Sequence, residues 1–348
     1  MSTIKDVAKR SGVSIATVSR VINESEKVKP STRKIVLKAI QELNYVPSAI
    51  AQGLQKKHTN TIGVIFPDAT SYYFAEIIRG INNRVREEGY HIVVSSSHSA
   101  EDEAKTFLTL LKSRQVCGMI IMMPSIHNEE VLNSYIRDVP AILLNTEIET
   151  LESVTIVIDN YQGARGVTQH LVDHGHTKIG FIHGAPQNYD SQERYRGFLD
   201  ALRVNGLKHS SSLESQGNFT ENGGFQAALE LLDKPVRPTA IFAANDAMAI
   251  GAIEAARQLS LQVPEEIAIV GFDDVSTAKY MSPPLTTVNV PVLKIGQIAG
   301  DHMIALLSGK ASEEQRRKVV VPVTLIVRES CGCARKQNRE NASGSGNA

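Results

Sequence analysis

The chain has no tryptophan, only three cysteines and no net charge, with 37 Lys and Arg against 37 Asp and Glu in 348 residues. No apolar run reaches the roughly 18 residues that a membrane-spanning helix needs, which excludes a helical membrane protein. An apolar secretion segment is missing too: Lys5 and Asp6 come at once, so the expected location is cytoplasmic. Enzyme signatures are likewise missing. There is no Gly-x-Gly-x-x-Gly after a first strand, no phosphate-binding P-loop and no Gly-x-Ser-x-Gly elbow. Of the cysteines, Cys117 sits in the apolar run VCGMIIMM and reads as core. Cys331 and Cys333 form a CGC pair, but two ligands without His or Cys partners nearby make no zinc site. His170, His174 and His176 in HLVDHGH fall at i, i+4 and i+6, the last beyond Gly175, so they do not share one helical face. His174 suits a helix C-terminus instead. No metal and no cofactor is expected.

What is present begins with a hidden asymmetry. Residues 1–60 carry 11 Lys and Arg against 4 Asp and Glu, leaving the remainder acidic by the same margin. A small basic segment on an acidic body points to a polyanion partner for that segment alone.

Three helices fit into the first 45 residues. Thr3 with Asp6 three later reads as a capping box, Ile4, Val7 and Ala8 repeat at helical spacing, and Gly12 ends the run. Ser14 caps a second helix whose Val18, Val21 and Ile22 face inward. Pro30 opens a third, with Ile35, Val36, Ala39, Ile40 and Leu43 expected inside. Two helices joined by GVS make a helix-turn-helix, whose second helix enters the DNA major groove. That places Ile15, Ala16, Ser19 and Arg20 on the outward and leading side, with hydroxyls at Ser14, Thr17 and Ser19 suited to phosphates.

From Thr61 the texture changes. Eight apolar runs (TIGVIF, HIVVSS, GMIIMM, AILLN, TIVID, KIGFIH, TAIFAA, IAIVGF) alternate with amphipathic helical stretches, which implies parallel sheets covered by helices. Eight runs are many for one sheet, so two α/β subdomains are expected. The tail 334–348 is polar and expected to be disordered, and it has no leucine heptad to build a tetramer.

IKDVAKRSGVSIATVSRVIN and KVKPSTRKIVLKAIQELNYVPSAIAQGL resemble the DNA-binding headpiece of the lactose/galactose repressor family. GVIFPD, HLVDHGHTKIGFIHG, RYRGFLDAL, AIFAANDAMAIGA, VGFDDVSTAKYMSPPLTTV and VTLIVRESC resemble that family's effector domain, in order. The resemblance implies an all-α headpiece (1–46), a hinge helix and linker (47–60) and a periplasmic-binding-protein-like effector domain (61–333). The last divides into 61–159 plus 291–320 and 160–290 plus 321–333. By position it implies DNA contacts from Thr3, Ser14, Ile15, Ala16, Thr17, Ser19, Arg20, Asn23, Lys27 and Thr32, and from Ser48, Ala51 and Leu54 of the hinge. Leu54 is the residue expected to wedge into the minor groove of a kinked duplex.

The effector positions implied are Phe74, Arg194, Phe219, Asn245 and Asp273, with Tyr73 and Asn145 beside them. Carboxylate, amide and guanidinium groups pair with adjacent sugar hydroxyls, and an aromatic ring covers an apolar face. The loop YYFAEII resembles the family's purine-responsive member. That member has an arginine and a threonine where this chain has Asn188 and Asp190, so a sugar or sugar derivative is the expected effector. The partners expected are therefore a double-stranded, pseudo-palindromic operator, a small molecule and a second copy of the chain, without a membrane. The competing readings are a periplasmic-type solute-binding protein, which the basic headpiece argues against, and a purine-responsive repressor.

Overall fold

The computed structural model describes residues 2–22, 27–45, 59–67, 72–96, 109–110, 115–122, 139–146, 154–311 and 318–333. The chain divides into two compact units, Met1–Thr59 and Asn60–Ala348. Asn23, the hinge positions Ser48, Ala51 and Leu54, and the tail 334–348 lie outside the described residues.

The first unit is built on α1 (Ile4–Ser11), α2 (Ile15–Ile22) and α3 (Pro30–Glu42). Thr3 starts α1 with a reciprocal cap: its Oγ1 accepts from the Asp6 amide, while the Asp6 carboxylate accepts from the Thr3 amide at 2.8 Å. Gly12 ends the helix at φ +67°, a conformation that costs glycine nothing. Val7, Ala8, Val18, Val21, Val36 and Ala39 form a small common core. Across it, Arg10 donates to Glu42 at 2.8 Å and the Ser2 hydroxyl to the Leu43 carbonyl at 2.8 Å. One expected core residue is misplaced: Ile35 is 53% exposed. It precedes Val36 by one residue, about 100° around the helix, outside the face that Val36, Ala39, Ile40 and Leu43 share.

The second unit alternates strands and helices. In order come β1 (Thr61–Phe66), α4 (Tyr72–Glu87), β2 (His91–Ser96), β3 (Gly118–Met122), β4 (Ala141–Leu144), β5 (Val154–Ile158), α5 (Asn160–Asp173), β6 (Ile179–His183) and α6 (Tyr189–Val204). There follow β7 (Glu214–Gln216), α7 (Glu221–Leu232), β8 (Ala240–Ala243), α8 (Asp246–Gln258), β9 (Ala268–Val270), β10 (Thr287–Asn289), α9 (Val292–Leu307), β11 (Val319–Val321) and β12 (Thr324–Ile326). The first sheet is fully parallel in the order β11-β5-β4-β3-β1-β2, and the second, also parallel, runs β7-β6-β8-β9. Their central strands are buried on both faces, which is why they read as unbroken apolar runs.

The chain crosses between the sheets after β5, between β10 and α9, and between β11 and β12. At the last two crossings β10 and β12 pair antiparallel, Thr287 opposite Ile326. Among the described residues, no helix is long and apolar enough to cross a membrane.

Candidate functional site

In the headpiece, Ser14 opens α2. Its Oγ accepts from the Thr17 amide at 3.2 Å and lies 2.9 Å from the Thr17 hydroxyl. With Val18 and Val21 turned inward, the leading end of α2 shows solvent an apolar and cationic edge: Ile15 is 45% exposed, and Ser14, Ala16 and Arg20 are exposed beside it. Ser19 and Thr17 are half-buried, as is Thr32 in the first turn of α3, and Lys27 is exposed. The Thr3 hydroxyl is spent on Asp6, to which it donates at 2.7 Å.

In the second unit every effector position lies at, or packs against, the C-terminal end of a parallel strand, where ligands collect in open α/β sheets. The seven residues expected there come together. Asn145, buried just after β4, donates through Nδ2 to Tyr73 Oη at 3.3 Å and to Asp190 Oδ2 at 3.0 Å, so it bridges the two lobes. Asp190 accepts a second bond, from Asn160 Nδ2 at 2.7 Å. Arg194, 3% exposed, then joins four groups. Its Nε donates to Asn160 Oδ1 at 2.8 Å, Nη1 to the Ala244 carbonyl at 2.5 Å, and Nη2 stands 3.0 Å from Asp273 Oδ1. Its guanidinium also lies 3.9 Å over the Phe272 ring.

Asn245, next after Ala244, caps α8 by accepting from the Met248 amide at 2.9 Å and donates to the Phe219 carbonyl at 3.2 Å. The Phe219 ring covers Gly184 so closely that no Cβ fits there. Phe74 stacks obliquely on Phe66 and edge-on to Tyr73. Asn145, Phe219 and Asp273 all hold positive φ (50°, 62° and 112°), so backbone strain gathers at this one place.

The electrostatics are those of a largely buried, acidic cleft. Burial raises the Asp273 carboxyl to about 6, with Arg194 opposing the rise and Asp190 adding to it. Burial also raises Asp190, against the pull of Arg194, Asn160 and Asn145. Tyr73 is pushed well up by burial and by both carboxylates, so it stays a neutral phenol. Asn145 Oδ1 is buried with no hydrogen-bond donor among the described residues, while Asp273 Oδ1 is held by the Arg194 guanidinium. Asp190 entered the sequence reading only as a departure from a relative, and Asn160 not at all. Their only local signal is a place in the first turn of a helix that follows a strand. Asp246, next after Asn245, serves structure: its carboxylate accepts from the Thr287 hydroxyl at 2.5 Å and the Val275 amide at 2.8 Å.

The His170 and His174 rings lie against each other with centroids 4.4 Å apart, but their nitrogens turn to other partners: His174 Nδ1 lies 2.6 Å from the His170 carbonyl at the end of α5, and His176 Nδ1 lies 3.0 Å from Thr239 Oγ1. The expectation that the CGC pair lacks a partner is corrected by the fold. His170 Nε2 stands 3.1 Å from Cys333 Sγ and 3.4 Å from Cys331 Sγ, brought there from 163 and 161 residues away.

Similarity to known proteins agrees with both units. The profile of bacterial regulatory proteins of the lacI family matches residues 3–48, and that of a periplasmic-binding-protein-like domain matches residues 168–331. The HTH-type transcriptional repressor PurR of Proteus mirabilis (strain HI4320) is 36% identical over 322 residues, 92% of this chain and 94% of that protein. The ribose operon repressor of Escherichia coli (strain K12) is 36% identical over 318 residues, 91% of this chain and 96% of its own. Among solved structures, the lac repressor dimer bound to operator and the anti-inducer ONPF superposes with a TM-score of 0.86 at 31% identity, covering 95% of this chain and 99% of that one. With a helix-turn-helix headpiece joined to a two-lobed α/β unit, the chain belongs to the lacI family of bacterial regulatory proteins and is a DNA-binding transcriptional regulator that responds to a small molecule.

Proposed function

We propose that the effector is a neutral, polyhydroxylated metabolite, a sugar or sugar derivative, held between the lobes by Asn145, Asp190, Arg194, Asn245 and Asp273 and covered by Tyr73, Phe74 and Phe219. The observation that carries this reading is Asn145 Oδ1, a buried acceptor without a donor among the described residues, in the same cluster as the Asp273 carboxylate held beside Arg194. Ligand hydroxyls supply the donor that Asn145 Oδ1 lacks and further donors to the Asp273 carboxylate, which has room for more than one. Two carboxylates against one guanidinium also disfavour an anionic ligand such as a sugar phosphate. The ribose operon repressor among the relatives is consistent with this choice. The test is a thermal-shift screen of sugars, sugar phosphates and nucleobases, with and without operator. A neutral sugar is expected to give the largest shift; a nucleobase in that place would overturn the reading.

The same carboxylates give the binding a pH signature. Hydroxyl donors bind ionised Asp273, whose carboxyl is raised to about 6 in the empty cleft. Binding therefore releases a proton, and affinity is expected to fall about tenfold per pH unit below that value. In the empty protein the sign is the reverse. A raised carboxyl stabilises the fold below its unfolded pKa, and that stabilisation is lost as pH rises through the folded one, here between the ordinary 3.8 and about 6. Calorimetric titration across this range, with Asp273→Asn as reference, is expected to show both slopes flatten in the variant.

For DNA, the headpiece acts as one of two copies on a pseudo-palindromic operator, with the hinge between the units transmitting the state of the cleft. Ile15 and Ala16 offer no hydrogen bond, so they discriminate bases by apolar contact, for instance with thymine methyls. Changing either is expected to alter the operator selected from a randomised pool. Arg20→Ala is expected to weaken binding to all sequences by about 1–3 kcal/mol. If variants at Ile15 and Ala16 select the parental operator, α2 does not read bases.

A further inference from the structure

We infer that His170, Cys331 and Cys333 form a binding site for a thiophilic transition metal, with Zn²⁺ or Cu⁺ as the class of ion. The three donor atoms lie within 4.8 Å of one another, and the ring nitrogen and both sulfurs form a near-equilateral triangle: 3.1 Å between the sulfurs, 3.1 Å from Cys333 to His170 and 3.4 Å from Cys331 to His170. A tetrahedral zinc with Zn–S of about 2.3 Å and Zn–N of about 2.0 Å sets its donors roughly 3.5–3.8 Å apart, so a small opening of this triangle admits the ion. Two thiols and an imidazole are the soft-to-borderline donors that select zinc or copper over magnesium or calcium.

The triangle is rigidly placed. Ser330, fully buried, donates its hydroxyl to the Ile269 carbonyl at 2.6 Å and accepts from the Thr286 amide at 2.8 Å, which pins the chain just before Cys331. Gly332 takes φ +83°, reversing the chain so that both sulfurs turn to the same side, and its amide donates to the Glu329 carbonyl. The opposite wall is the last turn of α5, whose first residue, Asn160, belongs to the effector cleft. Thr286 Oγ1 donates to Cys331 Sγ at 3.1 Å and so supports that sulfur from behind, leaving water as the fourth ligand. A bound ion would clasp residues 331–333 to α5 and displace the thiol protons to solvent.

The full-length chain, without a histidine tag, is reduced, stripped of metal under argon and titrated with Co²⁺ as a spectroscopic stand-in. The expected result is one equivalent bound, with sulfur-to-cobalt charge-transfer bands and tetrahedral ligand-field bands, displaced by Zn²⁺. Cys333→Ser and His170→Gln, each checked for native circular dichroism, are expected to lower Zn²⁺ affinity by about 100-fold or more in chelator competition. Cys117→Ser, whose thiol donates to the Thr61 carbonyl in the other lobe, is expected to change nothing. The inference fails if the reduced parent shows no thiolate charge-transfer band, or if the bands persist in Cys333→Ser. It also fails if the isolated protein carries a Cys331–Cys333 disulfide and binds no metal once reduced.

Discussion

Arg194→Ala is expected to destabilise the second unit by about 3–5 kcal/mol and to abolish the thermal shift given by the effector. The reasoning is one of stranded partners. Without the guanidinium, Asn160 Oδ1 and the Ala244 carbonyl lose their donors in a buried site, and Asp190 and Asp273 face each other with no cation between them. A buried acceptor left alone costs about 1–3 kcal/mol, and an unpaired carboxylate responds by taking up a proton. Asp273, already raised to about 6 with Arg194 in place, is therefore expected to titrate higher still in the variant. Arg194→Lys should recover little. A point ammonium cannot reach Asn160, Ala244 and Asp273 at once, nor lie flat on Phe272. Because the chain has no tryptophan, urea unfolding is followed by far-ultraviolet circular dichroism. A double variant, Arg194→Ala with Asp273→Asn, should lose less than the two single losses combined, since the second change removes a charge the first left unpaired. A single-variant loss below about 1 kcal/mol would mean that the site is hydrated rather than dry, and the cleft chemistry above would not stand.

How far this network could be read in advance depended on whether its signal was local. The eight apolar runs all became strands: seven are parallel strands buried on two faces, which announce themselves by composition alone, and HIVVSS is the edge strand β2, with Val93 and Val94 exposed. The strands ESQ, TVN, VVV and TLI, three residues each, did not. They are too short to show a period, and they form by pairing at a sheet edge or at a crossing between lobes. Phe74, Arg194 and Asp273 could be named because they stand in recognisable stretches. Asn160 and Asp190 could not, since their meeting is made by two helices that start after different strands, 30 residues apart. The metal-like triangle was further from view, because its histidine and cysteines are joined only by the docking of residues 331–333 onto α5. In the headpiece, capping residues marked both ends of α1, while the boundary of α3's inner face fell one residue from where the apolar stretch IVLKAI placed it.

The largest loss is expected from Gly197→Val: more than about 4 kcal/mol, with effector response lost in any protein that still folds. Gly197 lies one turn after Arg194 on α6, and a Cβ there would press on the Tyr161 carbonyl, the Arg165 amide at 3.0 Å and the Ala164 methyl at 3.1 Å, all on α5. Two of these are backbone and cannot rotate away, so the helices must part. The same device recurs where Gly80 meets Gly296 between α4 and α9, and where Gly224 and Gly251 bring α7 against α8. In the α5–α6 pair it has a chemical consequence as well. Asn160 opens α5 and Arg194 sits in the second turn of α6, and their 2.8 Å bond exists only while the two helices touch. Widening the crossing by the width of a side chain breaks that bond and, through Asn160, the hold on Asp190. Gly166→Ala provides the contrast on the same α5. A Cβ there meets nothing within 4 Å, so the variant is expected to stabilise the helix by about 0.5–1 kcal/mol and leave effector binding intact. Thermal unfolding of both variants, with and without the best sugar, separates the cases: opposite signs of shift are expected, and equal signs would show that close helix approach does not govern the site.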